Sequence, residues 1–282
     1  MVDLPSNKAD RVPTKMDEFL FDLNGFLILR NALSDAELDQ MAAGIEAVPE
    51  LDENEWHGPI HREPHGGELG VNLQQIYEAG PIFESLIDHP SWIRYAHHFL
   101  GNVGFEATHG PLYMDECFST KRAAGEGFYL HSGAFERCKH IQYRYLNGQF
   151  MCGQINILMP LHDVGPGDGA TLVIPGSHKS NLEHPELGKD AVPSPEETAG
   201  AIEVHTKKGD VILFTDTICH GAATRLNPGF RRAVIYRYVS AWSRSRHGYA
   251  PTPELLERVT PRKRMIVNPN AKSRLRPPGK DW

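Results

Sequence analysis

The sequence predicts a mainly β chain with flanking helices, an antiparallel sandwich or barrel, on three observations. From about residue 103 onward, short β-branched or apolar runs alternate with Gly, Pro and Asp turns: "QFMCGQINILMPLHDV", "ATLVIPGSH", "AIEVHTKKGDVILFTDTICHGAAT" and "RRAVIYRYVSAW". Helical signals are confined to the first hundred residues. With 26 glycines and 21 prolines in 282 residues, the chain is rich in turns. All-β barrels of this length are often single domains, so 1–282 is read as one unit.

In chain order, residues 1–15 read as a loose arm. "TKMDEFLFDLNGFLILRNALSDAELDQMAAGIEAV" then encodes a short amphipathic helix, an Asn-Gly turn, a strand Phe26 to Leu29, and a helix with Ser34 as N-cap and Glu37 completing a capping box. Residues 51–75 carry Trp56, His57, His61 and His65, but Pro59, Pro64 and a Gly pair break any helix, so a loop is expected there. "IFESLIDHPSWIRYAHHFLG" at 82–101 again looks helical, ending at Gly101. The polar, proline-containing segment 181–200 is an insertion between strands, either a lid over the barrel mouth or a surface excursion.

Composition excludes several classes. No apolar run approaches the roughly 20 residues of a membrane span, and the start lacks the apolar stretch of a signal peptide, so no membrane association and a cytoplasmic location are expected. Cys117, Cys138, Cys152 and Cys219 form no CxxC pair and read as reduced thiols. A net charge of -7 argues against binding of a DNA or RNA duplex. The tail 258–282 is nonetheless basic, with eight Lys or Arg against Asp281; it reads as a solvated extension or as a strap attracting an anionic substrate.

Three residues stand out within the strand-rich region. His131 ends an apolar strand in "FYLHSGAFERC", His220 ends "DVILFTDTICH", and Arg231 follows eleven residues later. Two histidines suit a non-haem iron centre, and an arginine pairs bidentately with a carboxylate. Gln154 and Asn156 share one strand face in "CGQINILMP" and read as barrel lining, Asn156 near the carboxylate ligand that Arg231 would hold, whereas Arg232 should point to the opposite face.

With these residues, "FLFDLNGFLILRNALSDAEL", "PLHDVGPGDGATLVIPGSHKSN" and "CHGAATRLNPGFRRAVIYRYV" resemble the phytanoyl-CoA dioxygenase family across residues 17–240. The resemblance implies a double-stranded β-helix (jelly-roll, cupin-like) barrel using Fe(II), 2-oxoglutarate and O2. It also implies His131 and His220 as metal ligands and Arg231 as the salt-bridge partner of 2-oxoglutarate. "PGSHK" and the turn Gly165 to Gly169 resemble family signatures that turn-making and shielding explain without chemistry.

Position 133 departs from the pattern: the family's usual carboxylate is replaced by Gly133, which cannot ligate. Three replacements are considered. Asp216 shares a face with His220, but four strand residues separate their Cα atoms by roughly 13 Å, which ranks it low. Glu136 lies five residues beyond His131 and a chain reversal would bring it inward. A chloride from solution would restore the missing charge, as in the iron/2-oxoglutarate halogenases, whose HxG form "His131-Ser132-Gly133" resembles. The chain most resembles the deoxyadenylate halogenases, so chlorination of an unactivated C–H bond of a small molecule, a purine deoxynucleotide, is expected. Hydroxylation with water at that position, and a non-catalytic ligand-binding barrel, are the alternatives. Ser132 is expected to border the reacting centre. Glu136, Arg137, Arg144, Lys121, Arg122 and Lys139 are expected around the substrate and its phosphate.

Overall fold

The computed structural model describes residues 10–64, 70–101, 112–133, 141–188, 194–243 and 248–269. The chain opens on helix α1 (Lys15–Asn24), started by a Thr14/Asp17 capping box and stopped by Gly25, whose φ of 83° closes the helix in the left-handed region. Strand β1 (Phe26–Leu29) and helix α2 (Asp35–Glu46) follow, the latter started by the expected Ser34/Glu37 box. Next come β2 (Trp56–His57), β3 (Ile60–Glu63), β4 (Gly70–Gln74), α3 (Pro81–Leu86) and α4 (Ile93–Phe99).

The strands that follow are β5 (Leu112–Ala123), β6 (Phe128–His131), β7 (Tyr145–Leu146), β8 (Gln149–Phe150), β9 (Gln154–Pro160), β10 (Thr171–Val173), β11 (Ile202–Val204), β12 (Val211–Thr215), β13 (His220–Ala222) and β14 (Phe230–Ser240), of which β7 and β8 form a hairpin of their own and the rest build the barrel. Helices α5 (Pro253–Arg258) and α6 (Pro261–Val267) complete the described chain.

An eight-stranded sheet in the order β1-β12-β9-β14-β5-β4-β3-β2 faces a four-stranded sheet in the order β11-β10-β13-β6. All pairings are antiparallel. The period-two alternation of strands decides what fills each layer. On the major sheet, Ile155, Ile157, Met159, Leu213, Val234 and Tyr236 pack outward against Phe21, Leu38, Met41, Phe83 and Trp92 of the helical segments, forming the main core. The opposite face, including Phe118, Leu158, Ile212, Phe214 and Ile235, turns inward toward Val173 and Val204 of the minor sheet. The helices therefore serve to cover one face of the large sheet, leaving the interior between the sheets for a site. Among the described residues no helix is long and apolar enough to cross a membrane.

Three expectations are corrected. Residues 51–75 are not a plain loop, because β2, β3 and β4 extend the major sheet; Trp56 stacks on His61 at 4.4 Å and His61 bonds the Tyr249 hydroxyl. His65 lies outside the described residues. The single helix expected over 82–100 is two short helices, since Pro90 interrupts the backbone ladder between them. The basic tail is in part folded: Arg258 pairs with Glu84, and Arg262 and Lys263 with Asp88, so these charges are spent on the helical layer rather than on a strap. Residues 189–193 of the insertion and 270–282 of the tail lie outside the described residues. Of the cysteines, Cys117, Cys152 and Cys219 are free and buried, with Cys138 outside that set.

Candidate active site

The two histidines meet because β6 and β13 are neighbours in the minor sheet, with His131 and His220 directly paired in register. Their ring centroids lie 4.2 Å apart. Each ring is oriented by a backbone carbonyl: His131 Nδ1 is 3.3 Å from Tyr129 O, and His220 Nδ1 is 2.8 Å from Ile218 O. An Nδ1–H donated to a carbonyl fixes the tautomer that leaves Nε2 as the ligating lone pair. Burial and then the neighbouring His220 push the His131 imidazolium well down, against the opposing pull of Asp216, which favours the neutral ring that a metal ligand needs. A close backbone approach allows this pairing. A Cβ on Gly221 would meet Phe128 O at 2.5 Å and Tyr129 O at 2.9 Å, so only glycine lets β13 lie this near β6.

Arg231 reaches the same interior from the other sheet. It is 3% exposed, donates from Nη2 to Thr171 Oγ1 at 3.0 Å, and its Nε has no partner. Burial, then Arg122 and Arg225, push its guanidinium well below the usual arginine range. A buried guanidinium with an unpartnered Nε suits an anion such as a carboxylate. Arg232 points the other way, to Glu46 on α2, as alternation requires. The two imidazoles and Arg231 thus fit a divalent metal chelated by an oxo acid whose distal carboxylate reaches the arginine.

The cavity of about 330 Å³ between the sheets is lined by both histidines and Arg231. Aromatic side chains Phe118, Phe128, Tyr129 and Phe214 also border it, and Asn72, Gln74, Glu63 and Glu116 give it a polar end. That end is internally tied: Gln74 donates to Glu63 and to Glu116 (2.9 Å), and Arg237 pairs with Glu116.

Gly133 does not open into vacant space. A Cβ there would overlap Asp216 Oδ2 and stand 3.2 Å from the Asp216 Cγ. The spacing premise used for Asp216 does not hold, because β12 ends at Thr215 and the chain turns before β13, carrying Asp216 off the strand and against Gly133, although it does not join the two histidines as a third ligand. Gly133 N also donates to Asp216 O at 3.0 Å. Among the described residues no three His, Cys, Asp or Glu side chains converge on one metal position.

Several expected site residues take other places. Gln154 and Asn156 are fully buried and form a relay, Gln154 Nε2 to Asn156 Oδ1 at 2.7 Å and Asn156 Nδ2 to Asp216 Oδ1 at 2.9 Å, instead of bordering the cavity. Ser132 is turned from the cavity, its hydroxyl donating to Thr217 O at 2.7 Å. Lys121 caps the Phe230 ring at 4.2 Å and Arg144 is exposed immediately before β7; only Arg122 of the described basic residues expected around the substrate borders the cavity. Glu136, Arg137 and Lys139 lie outside the described residues. The carboxylate end built by Glu63 and Glu116 was missed, since β3 and β4 were read as loop; the alternation of "LGVNLQ" was the available signal.

Comparison with known proteins agrees with this architecture. The chain is similar to an ectoine dioxygenase of Bordetella parapertussis, 24% identical over 83% of this chain and 79% of the relative. It is also similar to the dioxygenase cdmD of Talaromyces verruculosus, 27% identical over 50% of this chain and only 42% of that relative's length. Among solved structures, HygX of Streptomyces hygroscopicus with nickel and 2-oxoglutarate bound superposes with a TM-score of 0.68 at 20% identity, covering 86% of this chain and 94% of that one. Residues 21–233 match the phytanoyl-CoA dioxygenase family as a whole, which spans both sheets and all three residues His131, His220 and Arg231. The chain therefore belongs to the phytanoyl-CoA dioxygenase family, and is a non-haem iron, 2-oxoglutarate-dependent oxygenase-type enzyme with a double-stranded β-helix fold.

Proposed function

We propose that this enzyme is a C–H halogenase, using chloride with Fe(II), 2-oxoglutarate and O2 to chlorinate a small polar molecule, a purine deoxynucleotide being the case to test first. The observation that carries it is Gly133: two residues after a ligating histidine the chain offers no side chain, and among the described residues no third protein ligand converges with the imidazoles. A halide supplies the missing negative charge beside a divalent metal.

When bound, the iron and oxo acid supply the oxidising power that removes a hydrogen atom from an unactivated carbon. The chain's own residues do the rest. His131 and His220 hold the metal through Nε2, their Nδ1 atoms fixed by Tyr129 and Ile218 carbonyls. Arg231 anchors the oxo acid's far carboxylate with Thr171 beside it. Phe128 and Tyr129 offer apolar ring surface to a ring, and the Asn72 amide and the unpartnered Gln74 Oε1 offer hydrogen bonds to its edge, which supports a heterocyclic substrate.

Hydroxylation is the second reading, favoured by one observation: the Asp216 carboxylate lies at Gly133, so a small shift of the 216–219 turn would offer the metal a protein anion where a halide is otherwise needed. One experiment separates the two. The protein is incubated with Fe(II), 2-oxoglutarate, O2 and deoxyadenylate, with and without chloride, and products are read by mass spectrometry. Chlorinated product appearing only with halide is the expected result. Product that gains oxygen at the same rate irrespective of halide would sink the halogenase reading in favour of the hydroxylase.

A further inference from the structure

The inward face of the β5–β14 pair carries two cross-strand arginine pairings of opposite character. In register, Arg237 stands opposite Glu116, Ile235 opposite Phe118, Ala233 opposite Thr120, and Arg231 opposite Arg122. At one end the ladder is neutralised, Arg237 being ion-paired to Glu116. At the other, roughly 20 Å along the strand, two arginines face each other with Cβ atoms about 5 Å apart.

Like charges directly opposite destabilise a sheet, and burial multiplies the cost. Arg122 is 8% exposed, borders the cavity, and among the described residues its guanidinium makes no hydrogen bond and no ion pair, Glu126 acting on it only at longer range. Arg231 is more deeply buried and keeps an unpartnered Nε. The third arginine of this region, Arg225, also keeps an unpartnered Nε but, unlike the other two, is neutralised by a carboxylate in contact, Asp168, and bonds the Pro228 carbonyl. Two buried guanidinium forks on one face, both turned into the cavity and neither neutralised by a carboxylate in contact, are balanced by an anion bound between them.

We propose that Arg122 is the second arm of a two-guanidinium clamp that, with Arg231, grips the distal carboxylate of the oxo acid. This rests on the 2-oxoglutarate reading of the site and adds to it a residue that makes the enzyme select a dicarboxylic oxo acid over a monocarboxylic one. The sequence alone places Arg122 with the substrate's phosphate; register with Arg231 places it with the co-substrate. Arg122 does not set the metal's geometry, so its removal leaves the chelating end of the oxo acid undisturbed.

The test is calorimetric titration under anaerobic conditions of protein loaded with Ni(II), using 2-oxoglutarate and 2-oxopentanoate, which keeps the chelating end but lacks the distal carboxylate. Arg122→Gln is expected to weaken 2-oxoglutarate roughly 10- to 100-fold and leave 2-oxopentanoate unchanged, with Arg122→Lys falling between. Thermal unfolding of each variant accompanies the titrations, and the unchanged 2-oxopentanoate affinity guards against a merely damaged fold. If the parent protein binds 2-oxoglutarate tightly and Arg122→Gln binds it equally well, the clamp is overturned while the co-substrate reading stands. If Arg122→Gln instead weakens deoxyadenylate binding alone, Arg122 serves the substrate and the proposal is equally overturned. A parent protein that binds neither oxo acid removes both readings.

Discussion

The Asp216 carboxylate packs against Gly133 so closely that a Cβ at 133 would overlap Asp216 Oδ2. The glycine is therefore matched to an acid that arrives from the β12–β13 turn, held there by the Asn156 amide at 2.9 Å. Restoring the family's usual carboxylate by Gly133→Asp should then fail: two carboxylates would share one buried volume, and like charges at that separation cannot both ionise. The variant is expected to lose about 2 kcal/mol or more in unfolding free energy and to bind Ni(II) no better than the parent. The double change Gly133→Asp with Asp216→Ala, which empties the contested volume, should be more stable than Gly133→Asp alone and bind Ni(II) more tightly than the parent. Calorimetry and thermal unfolding check it, and a single variant that binds metal more tightly at undiminished stability would show that the two residues do not compete.

Gly221 sits between the two ligating strands. Gly221→Ala places a methyl 2.5 Å from Phe128 O and 2.9 Å from Tyr129 O, so β13 must move away from β6 and His220 from His131. Metal affinity is expected to fall at least about tenfold, in line with the sensitivity of metal sites to supporting contacts, while the helical core keeps its packing. Ni(II) titration alongside near-ultraviolet circular dichroism reads both.

Acid sensitivity should trace to Glu37. Burial opposes its ionisation, but hydrogen bonds with His89 and Ser34 overcome that cost and hold the carboxyl down to about 2, below its ordinary 4.5. A depressed carboxylate stabilises the fold above its unfolded pKa and loses that contribution as pH falls through the folded one. Glu37→Gln is therefore expected to cost on the order of 2–3 kcal/mol at pH 7, the difference from the parent shrinking between pH 4.5 and 2. Urea unfolding at pH 7, 4 and 2.5 measures it; a difference independent of pH would remove the linkage.

Tyr238 anchors the helical layer to the major sheet, its hydroxyl donating to Ile87 O at 2.9 Å and accepting from Trp92 Nε1 at 3.1 Å. Tyr238→Phe leaves a buried indole N–H and a carbonyl without that partner, at an expected cost of about 1–3 kcal/mol. Thermal unfolding should show the loss, with oxo acid affinity unchanged.

Periodicity made the barrel strands legible, and capping chemistry made α1 and α2 so: Ser34 and Glu37 form the box their spacing announces. That His131, His220 and Arg231 would face one interior was legible because each lies at a strand end in a recognisable stretch, and all three border the cavity. What escaped were facts that depend on where the chain turns. Asp216 was measured along an extended strand, yet β12 stops at Thr215 and the turn brings Asp216 to Gly133. Gln154 and Asn156 were rightly seen as same-face polar residues, but their partner proved to be each other and Asp216, since an amide pair satisfies itself when the neighbouring turn supplies an acceptor. The strands β2 to β4 were hidden by Pro59, Pro64 and glycines that break helices but are tolerated near a sheet edge.

The histidines belong to the four-stranded sheet and Arg231 to the eight-stranded one, with the hydroxyl of Thr171 as a direct link between them. If, as proposed, the imidazoles hold a metal and Arg231 the oxo acid chelated to it, the bound pair would rivet both layers. Its binding energy becomes resistance to the sheets parting, growing as RT ln(1 + [L]/Kd) and so by about 2.7 kcal/mol at a hundredfold excess over Kd. Supply of co-substrate would in this way govern how much of the enzyme stays folded, as well as how fast it turns over.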